Sequence, residues 1–591
     1  MAEYENRTGE NEKKGSKPKP GGSKPDARDY ITLYEEAKTI RAPYEQDWRM
    51  CAAYCLPRHY SSWQSDGPFV HGGNQEVKRF AYDNTGVRSL PKYTSILNRI
   101  MTPQNMRWQK LAATNRELMK SHEVRTYFDR LTDELFKRRY APNARFVQAQ
   151  GETYASIGVY GCGPKAITWQ KPSPMYREGG FAYKAWPLKD VFLLTNDAGQ
   201  VTHIFRRFWL NARQFRLKFP GEDLPRALEA EGTKPIPSEQ NTVEFVHILC
   251  YRENYDDKSL DYRRHPIRSC YICVRDATYV GEETGFVNMP MVTPRTFTEP
   301  GDVYGYSPAQ QALPALGGVS AMKKTVLKQG HKAVDPSLLA HDDGAISGRV
   351  DQRPGMITWG GIDNQGRRMI APMETGANFQ VAEQLITDER RDIEDSFFVT
   401  VFQILSESTE MTATEVVERI AQQAALVEPT MGRLQSEDLG PSSEREIALL
   451  AENGILTAKY DLEMPPELRE AKGEYEIIYT SPLAKGQHTE DVAGFMRWLE
   501  MALKYAEVTQ DPSALDWINF DVASPDIADI LSVRTAWVRD MDSVAQMRDD
   551  RNKKQAAQQV MDQAPAIASV ANQAMKQGSA GNSQPPGVSN G

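Results

Sequence analysis

Apolar residues recur at three- and four-residue spacing from 29 to 140, alternate with polar ones from about 150 to 300, and return to helical spacing after 306. The clearest amphipathic stretches of the first region are YITLYEEAKTIRAPYEQDWRMCAAYCL and SHEVRTYFDRLTDELFKRRYA, so it is predicted to be mostly helical. In the second, FAYKAWPLKDVFLLTNDAGQVTHIFRRFWL and TVEFVHILCYRENY are aromatic or β-branched, bounded by turns such as Asp197-Ala198-Gly199, which predicts strands in an α+β region. At Ser307-Pro308 an N-cap and a first-turn proline open a helix to about Val334, with interruptions at Pro314 and Gly317-Gly318. If helical throughout it is about 40 Å long. Residues 335–377, rich in Gly and Pro, read as a compact β-rich insert. A second helix is predicted over 378–402, with an apolar seam at Ile386, Ile393, Phe397 and Val401 and an acidic seam at Asp388, Glu389, Asp392 and Asp395.

The stretch MTATEVVERIAQQAALVEPTMGRLQSEDLGPSSERE (411–446) starts a further helix with a capping box at Thr412 and Glu415. Its apolar face is Val416, Ile420, Ala424, Val427, Met431 and Leu434. A proline inside such a pattern removes a backbone donor and clashes with the preceding turn, so Pro429 should kink the helix and Pro441 should end or bend it again. Beyond it, 475–483 reads as a strand, and 488–508 and 524–550 as helices. Residues 1–27 almost lack large aliphatics and are expected to be a disordered arm; 553–591 form an Ala/Gln-rich segment and a flexible tail. The fold class is α+β, mainly helical.

At 591 residues the chain is long enough for several domains. It carries 71 Lys and Arg against 79 Asp and Glu, a net charge of −8, so its surface as a whole does not attract nucleic acid, and a sequence-specific DNA binder is disfavoured. No window approaches the eighteen or so consecutive apolar residues of a membrane span, and the start lacks the apolar core of a signal peptide, so a soluble protein made in a cytoplasm is expected. Six cysteines make no disulfide framework. Cys270 and Cys273 have zinc-knuckle spacing but lie in RSCYICVRDATYV, where residues three apart fall on opposite faces of a strand. Cys51 and Cys55, near His59, read as small buried residues close to a helix end.

Catalytic signatures are missing. GVYGCGPKAITW (158–169) lacks the adjacent Lys-Ser/Thr of a phosphate-binding loop and reads as a turn into a strand. Ser320 and Lys323 match SxxK without its companion motifs. No nucleophile, metal site or cofactor is expected, and the protein is read as a non-enzyme. One basic feature stands out, Lys324, Lys328 and Lys332 on one helix face, with Lys323 and His331 beside them. Three readings stay open: a solvated face, a partner for the acidic seam on a neighbouring helix, or, repeated around a ring, a lining for a channel that phosphates pass.

The chain resembles the portal, or head-to-tail connecting, proteins of short-tailed T7-like bacteriophages. The stretches that carry the resemblance, in order, are YEQDWRMCAAYCLPR, LNRIMTPQNMRWQKL, NARFVQAQGETYASIGVYGCG, NDAGQVTHIFRRFWLNARQFRLKFP, VYGYSPAQQALPAL and TATEVVERIAQQAALVEPTMGRLQSEDLGP. The resemblance covers about 30–480 and leaves out both ends. It implies a portal fold with a wing, a two-helix stem, a small β-rich clip and a helical crown, assembled as a ring, usually of twelve, at one capsid vertex of the virion. The wing would be 28–305, the stem helices 306–334 and 378–402, the clip 335–377, and the tunnel loop 403–411 with Ser406, Glu407, Ser408, Thr409 and Glu410. The kinked wing helix and return strand would be 412–480, and the crown helices 481–552. In that arrangement Thr412, Glu415 and Pro429 redirect a helix from channel axis to rim.

The implied activity is passage of double-stranded DNA, without sequence specificity, during genome packaging and ejection. Implied partners are the terminase large subunit, the major capsid and scaffolding proteins, tail adaptor or nozzle proteins and internal core proteins, with no membrane. ATP hydrolysis would belong to the separate motor. Arg349, Arg353, Arg367 and Arg368 in the clip would form the docking surface, and the lysine stripe would mainly bridge adjacent stem helices. A rival structural reading is another head-tail adaptor. An enzymatic rival, a metal-dependent nucleic-acid-processing enzyme, would draw on Asp342 and Asp343, which read equally as a turn.

Overall fold

The computed structural model describes residues 25–555 except 65, 69–75, 116, 173, 175–178, 233–241, 253–254, 256–261, 341–352, 354, 358–360, 363–364, 374–378, 400–429, 472, 481, 510–516, 531–538 and 540–542. In chain order the principal elements are α1 (Ala27–Cys55), α2 (Thr85–Met101), β1 (Gln109–Ala113), α3 (His122–Arg139), α4 (Phe146–Tyr160), β2 (Lys165–Gln170) and β3 (Gly180–Ala185). Then come β4 (Val191–Thr195), β5 (Val201–Leu210), α5 (Ala212–Lys218), α6 (Arg226–Gly232), β6 (Val243–Tyr251), β7 (Ile267–Cys273), β8 (Thr278–Phe286) and β9 (Met291–Val292). The remainder are α7 (Pro308–Gln311), α8 (Leu313–Val334), β10 (Leu338–Ala340), β11 (Ile370–Pro372), α9 (Phe379–Ser396), α10 (Gly440–Glu452), α11 (Pro466–Glu470), β12 (Tyr475–Tyr479), α12 (Pro482–Thr509) and α13 (Phe520–Ile530). The chain divides into two units, one of residues 1–108, 134–456 and 481–483, the other of 109–133, 457–480 and 484–591.

In the first unit, β4 to β8 form an antiparallel meander in sequence order. Alternation along each strand sends side chains to two separate cores. Phe205, Val246, Ile248, Cys250, Cys270 and Ile272 pack beneath Tyr30, Tyr34 and Ala37 of α1, whereas Phe208, Phe245 and Cys273 pack with Ala212, Phe215 and Leu228 from α5 and α6. Cys270 and Cys273 therefore lie on opposite faces of β7, as their strand context predicts, and cannot converge on one ion. All six cysteines are buried and none is in a disulfide. Burying tyrosines such as Tyr30 and Tyr34 contributes on the order of 1.5–3 kcal/mol each, comparable with other large core side chains.

A third core is aromatic. Trp48 of α1 is fully buried, with ring centroids at 5.8 Å from Tyr44, 5.5 Å from Trp63, 6.4 Å from Tyr160 and 5.2 Å from Tyr304. The Tyr304 hydroxyl accepts from the Leu193 amide at 3.1 Å, tying this core to β4. The GVYGCG stretch is the end of α4: Gly161 caps it with φ of 74°, and its carbonyl accepts from the Thr296 amide at 3.0 Å. A Cβ on Gly305 would meet the carbonyl oxygens of Gly161 and Thr296, each at 2.3 Å, so three backbone segments meet where side chains are impossible. One residue later Tyr306 leads into Ser307, whose capping box with Gln310 opens α7; the Ser307 hydroxyl also donates to the Val159 carbonyl at 2.8 Å.

The helix predicted from Ser307 is present, with a break at Ala312 in place of the predicted interruption at Pro314, which falls in the first turn of α8; Gly317 and Gly318 lie inside α8. Leu316 and Val319 are buried at its root, whereas Val334 at its far end is 88% exposed. α8 packs against α9, and two short strands of 335–377, β10 and β11, pair antiparallel between them in sequence. The second helix ends earlier than expected. α9 stops at Ser396, and Phe398 is left-handed with φ of 56°. The cause is aromatic: buried Phe397 packs edge-on against Tyr93 at 6.1 Å and Phe398 stacks on Phe297 at 6.4 Å, and both contacts hold the chain out of the helical path. Val401 lies outside the described residues.

From Thr430 the chain is helical to Glu452, with Met431 and Leu434 buried. It passes Pro441 without ending: Gln435–Leu439 form a π-helical turn just before it, and the widened turn takes up the missing donor and the ring's bulk.

In the second unit, β1 pairs antiparallel with β12, a strand missed in a region predicted as mostly helical; the Leu111 amide donates to the Thr132 hydroxyl at 3.2 Å. β12 falls within the predicted 475–483, α12 is longer than the predicted 488–508, and α13 is followed by helical residues 543–555. Trp498, Met501, Tyr505 and Val508 of α12 recur at heptad spacing and are 42% to 83% exposed. No helix among the described residues is long and apolar enough to cross a membrane.

Replacing Gly305 by Ala is expected to lower stability by about 3 kcal/mol because backbone must move. Gly432→Ala, where the added methyl meets open space on a helix, should raise it by roughly 0.5–1 kcal/mol. Urea unfolding of both variants checks the contrast; equal effects would contradict the packing described.

Candidate functional site

Two charged assemblies in the first unit fix the elements around the α8–α9 arm. The first is at the root of the arm. Asp83 precedes α2; its Oδ1 accepts from the Thr85 amide at 2.7 Å and from the Thr85 hydroxyl. Its Oδ2 accepts from Lys323 Nζ of α8 at 3.2 Å and from the Arg390 guanidinium of α9 at 2.6 Å. Beside it Lys92 pairs with Glu394 at 3.2 Å. One carboxylate thus joins three helices. Burial alone would raise the Asp83 carboxyl, but the Thr85 hydrogen bonds and Arg390 outweigh it and hold the pKa at about 2. Next to this junction lies a cleft of about 540 Å³ between α2, α8 and α9, lined by Arg88, Arg391, Thr387 and the residues just named.

The second assembly radiates from the π-turn and α10. Glu437 accepts from the Arg295 guanidinium at 2.9 and 3.1 Å, from the Arg295 amide at 3.0 Å and from Arg433 at 3.0 Å. Arg295 also donates to the carbonyls of Val303 and Gly199. The next residue, Asp438, is fully buried; it pairs with Lys165 of β2 at 2.6 Å and accepts from Gln150 of α4 at 2.6 Å, while Gln150 accepts from Lys165 at 2.7 Å. Two turns on, Glu446 accepts from the Arg139 guanidinium and, at 2.6 Å, from the Tyr183 hydroxyl. Burial disfavours the charge on Arg139, but Glu446 more than compensates and its pKa is raised. Arg139 also lies over the Trp108 ring at 4.5 Å. A helix turn widened to present adjacent carboxylates to two different basic partners is the structural content of GRLQSEDLGPSSERE.

These assemblies position elements. Of the residues singled out in sequence, Lys323 is drawn into the Asp83 junction. Lys324 lies 5.5 Å from the Tyr82 ring centroid, and Lys328 and Lys332 are exposed. Asp388, Asp392 and Asp395 are exposed and Glu389 half-buried on a flank of α9; among the described residues none pairs with the lysine stripe within the chain. Arg353, Arg367 and Arg368 are exposed. Arg349, Asp342, Asp343, Ser406, Glu407, Ser408, Thr409, Glu410, Thr412, Glu415 and Pro429 lie outside the described residues.

Sequence reasoning missed Asp83, Lys165, Arg295, Glu437, Asp438 and Glu446. The available signal was the pair Glu437-Asp438 between the apolar Leu434 and Leu439, a place where charge must find a partner; apart from Arg433, the partners lie 142 to 288 residues away and carry no local pattern.

The chain belongs to the bacteriophage head to tail connecting protein family, whose model matches residues 27–538. It is 23% identical over 542 residues to the portal protein of Salmonella phage epsilon15 and 24% identical over 542 residues to the probable portal protein of Bordetella phage BPP-1; each match covers 90% of this chain and 92% of the relative. Among solved structures, a chain of the virion of a native gene transfer agent particle matches at 16% identity and a TM-score of 0.29, over 71% of this chain and 98% of that one. A chain from the neck of an empty particle of the same kind matches at 14% and 0.32, over 67% and 91%.

Asp438→Ala strands a buried lysine and should cost about 3–5 kcal/mol, whereas Asp438→Leu combined with Lys165→Met should recover most of it. Thermal melts of the set test the pair. The depressed Asp83 carboxyl contributes stability that is present above its unfolded pKa of 3.8 and is lost as pH falls toward about 2. Asp83→Asn should flatten that part of the acid dependence, read by melting between pH 5 and 2.

Proposed function

We propose that this chain is a portal subunit, one of a closed ring at a capsid vertex through which double-stranded DNA is packaged and later ejected. The observation that carries the reading is the family match over 27–538, joined by portal relatives aligned over 90% of the chain. The fold agrees with it: strands within the proposed wing (28–305) support an arm of two packed helices, α8 and α9, in the proposed stem (306–334 and 378–402), with the β10–β11 pair in the proposed clip (335–377).

In this reading the protein is a structural component of the virion and does no chemistry; the separate motor supplies ATP hydrolysis. Arg353, Arg367 and Arg368 are exposed on the insert, where a motor and later a tail adaptor would dock, with Arg349 beside them in sequence. The exposed Lys328 and Lys332 with Lys324 would bridge toward a neighbouring subunit and border the lumen near the clip. Residues 403–411 would line the tunnel, the segment from Thr412 through Pro429 would turn outward along the wing, and residues 481–552 would form the crown. The exposed heptad stripe of α12 supports contact between subunits there. The chain's net charge of −8 suits a conduit along which phosphates slide instead of binding.

Light scattering and negative-stain imaging of the purified protein should give rings with a central hole and a mass near twelve times the 66.6 kDa subunit. Persistent failure to form rings at high concentration would overturn the reading.

A further inference from the structure

Resting on the ring reading, we propose that the α2–α8–α9 cleft is the receptor for the acidic flank of α9 from an adjacent copy of this chain. The cleft carries an excess of cations. Arg88, Lys92, Lys323, Arg390 and Arg391 face only Asp83 and Glu394. Lys323 and Arg390 are taken by Asp83 and Lys92 by Glu394, which leaves the exposed Arg88 and Arg391 without a carboxylate in ion-pair distance among the described residues. Asp388, Asp392 and Asp395 are likewise exposed and outside any ion pair among the described residues, with Glu389 half-buried alongside.

The two unmatched sets lie on different flanks of one helix. Ile386, Ile393 and Phe397 mark the buried face of α9. At ~100° per residue the cleft side of α9 (Thr387, Arg390, Arg391, Glu394) and the seam of four carboxylates are centred roughly 140° apart. Arg391 lies three residues from Asp388 and four from Asp395, near enough for a solvated pair, but the acidic flank as a whole is turned away from the cleft and is open to a second molecule. Joining the acidic flank of one copy to the basic cleft of the next is a heterologous contact, and a heterologous contact whose rotation closes generates a ring. Exposed charges of opposite sign also steer the encounter and reject wrong registers, with weakening at high salt. The lysine stripe of α8 is then free for other contacts.

The test is a charge swap in the full chain. Asp388→Lys with Asp392→Lys, and separately Arg88→Glu with Arg391→Glu, should each reduce ring yield about tenfold or more at physiological salt while leaving the monomer's melting curve unchanged, since all four positions are exposed. Carrying all four substitutions in one chain should restore rings, and mixing the two single-flank variants should also restore them, because each alternating contact is again between opposite charges. Unchanged ring yield in the single-flank variants, or no recovery in the fourfold variant, would overturn the pairing while leaving the portal reading intact. Recovery of Asp388→Lys/Asp392→Lys by reversing Lys324, Lys328 and Lys332, but not by reversing Arg88 and Arg391, would overturn it in favour of the stripe. Wild-type protein that forms no rings under any condition would overturn the portal reading itself, and this contact with it.

Discussion

Asp438 and Glu446 are carboxylates with no access to water, and the first unit depends on how they are satisfied. Removing a charge from water costs several kcal/mol per ion, so a buried pair is tolerated only where geometry is close and the remaining lone pairs are used. Here Asp438 meets Lys165 and Gln150, and Glu446 meets Arg139 and Tyr183. Those partners come from α3, α4, β2 and β3, so the helix bearing the carboxylates has one acceptable seat. A helix slipped by a residue would leave all of these charges stranded. Apolar packing alone would tolerate neighbouring registers far better.

The Asp83 junction applies the same logic to the arm. The start of α2 and residues within α8 and α9 converge on one carboxylate, and its low pKa means that the charge persists at any physiological pH. The apolar contacts of Ile393 and Phe397 supply adhesion, while the carboxylate sets which residues of α8 and α9 lie level with each other. This combination leaves the remainder of α8 increasingly exposed, as befits a projection whose sides are available to other molecules.

Much of this was legible from pattern. The N-cap at Ser307, the strand alternation that separates Cys270 from Cys273, and the turn at Gly161 all follow from rules acting over a few residues. What escaped was long-range. β1 reads as part of a helical region because its partner β12 is needed to make it a strand, and α9 ends at Ser396 because Phe397 and Phe398 find Tyr93 and Phe297. Pro441 was expected to end or bend its helix; the π-turn that accommodates it is stabilised by Arg295 and Lys165, which no local window contains. The arm's charged residues were visible, but which of them are spent inside the chain and which remain free depends on Asp83, an unremarkable residue in sequence.

The pairing of β1 with β12 also sets a schedule. About 360 residues separate the two strands, and at roughly 5–20 residues per second a ribosome needs tens of seconds to travel from one to the other. Until then Leu111, Ala112 and Ala113, buried in the finished protein, have no strand to cover them. The β1–β12 pairing of the second unit therefore cannot close until translation has passed Tyr479. A subunit interrupted before Tyr475 would keep an open strand edge, which marks it for chaperones and proteases before it can join an assembly.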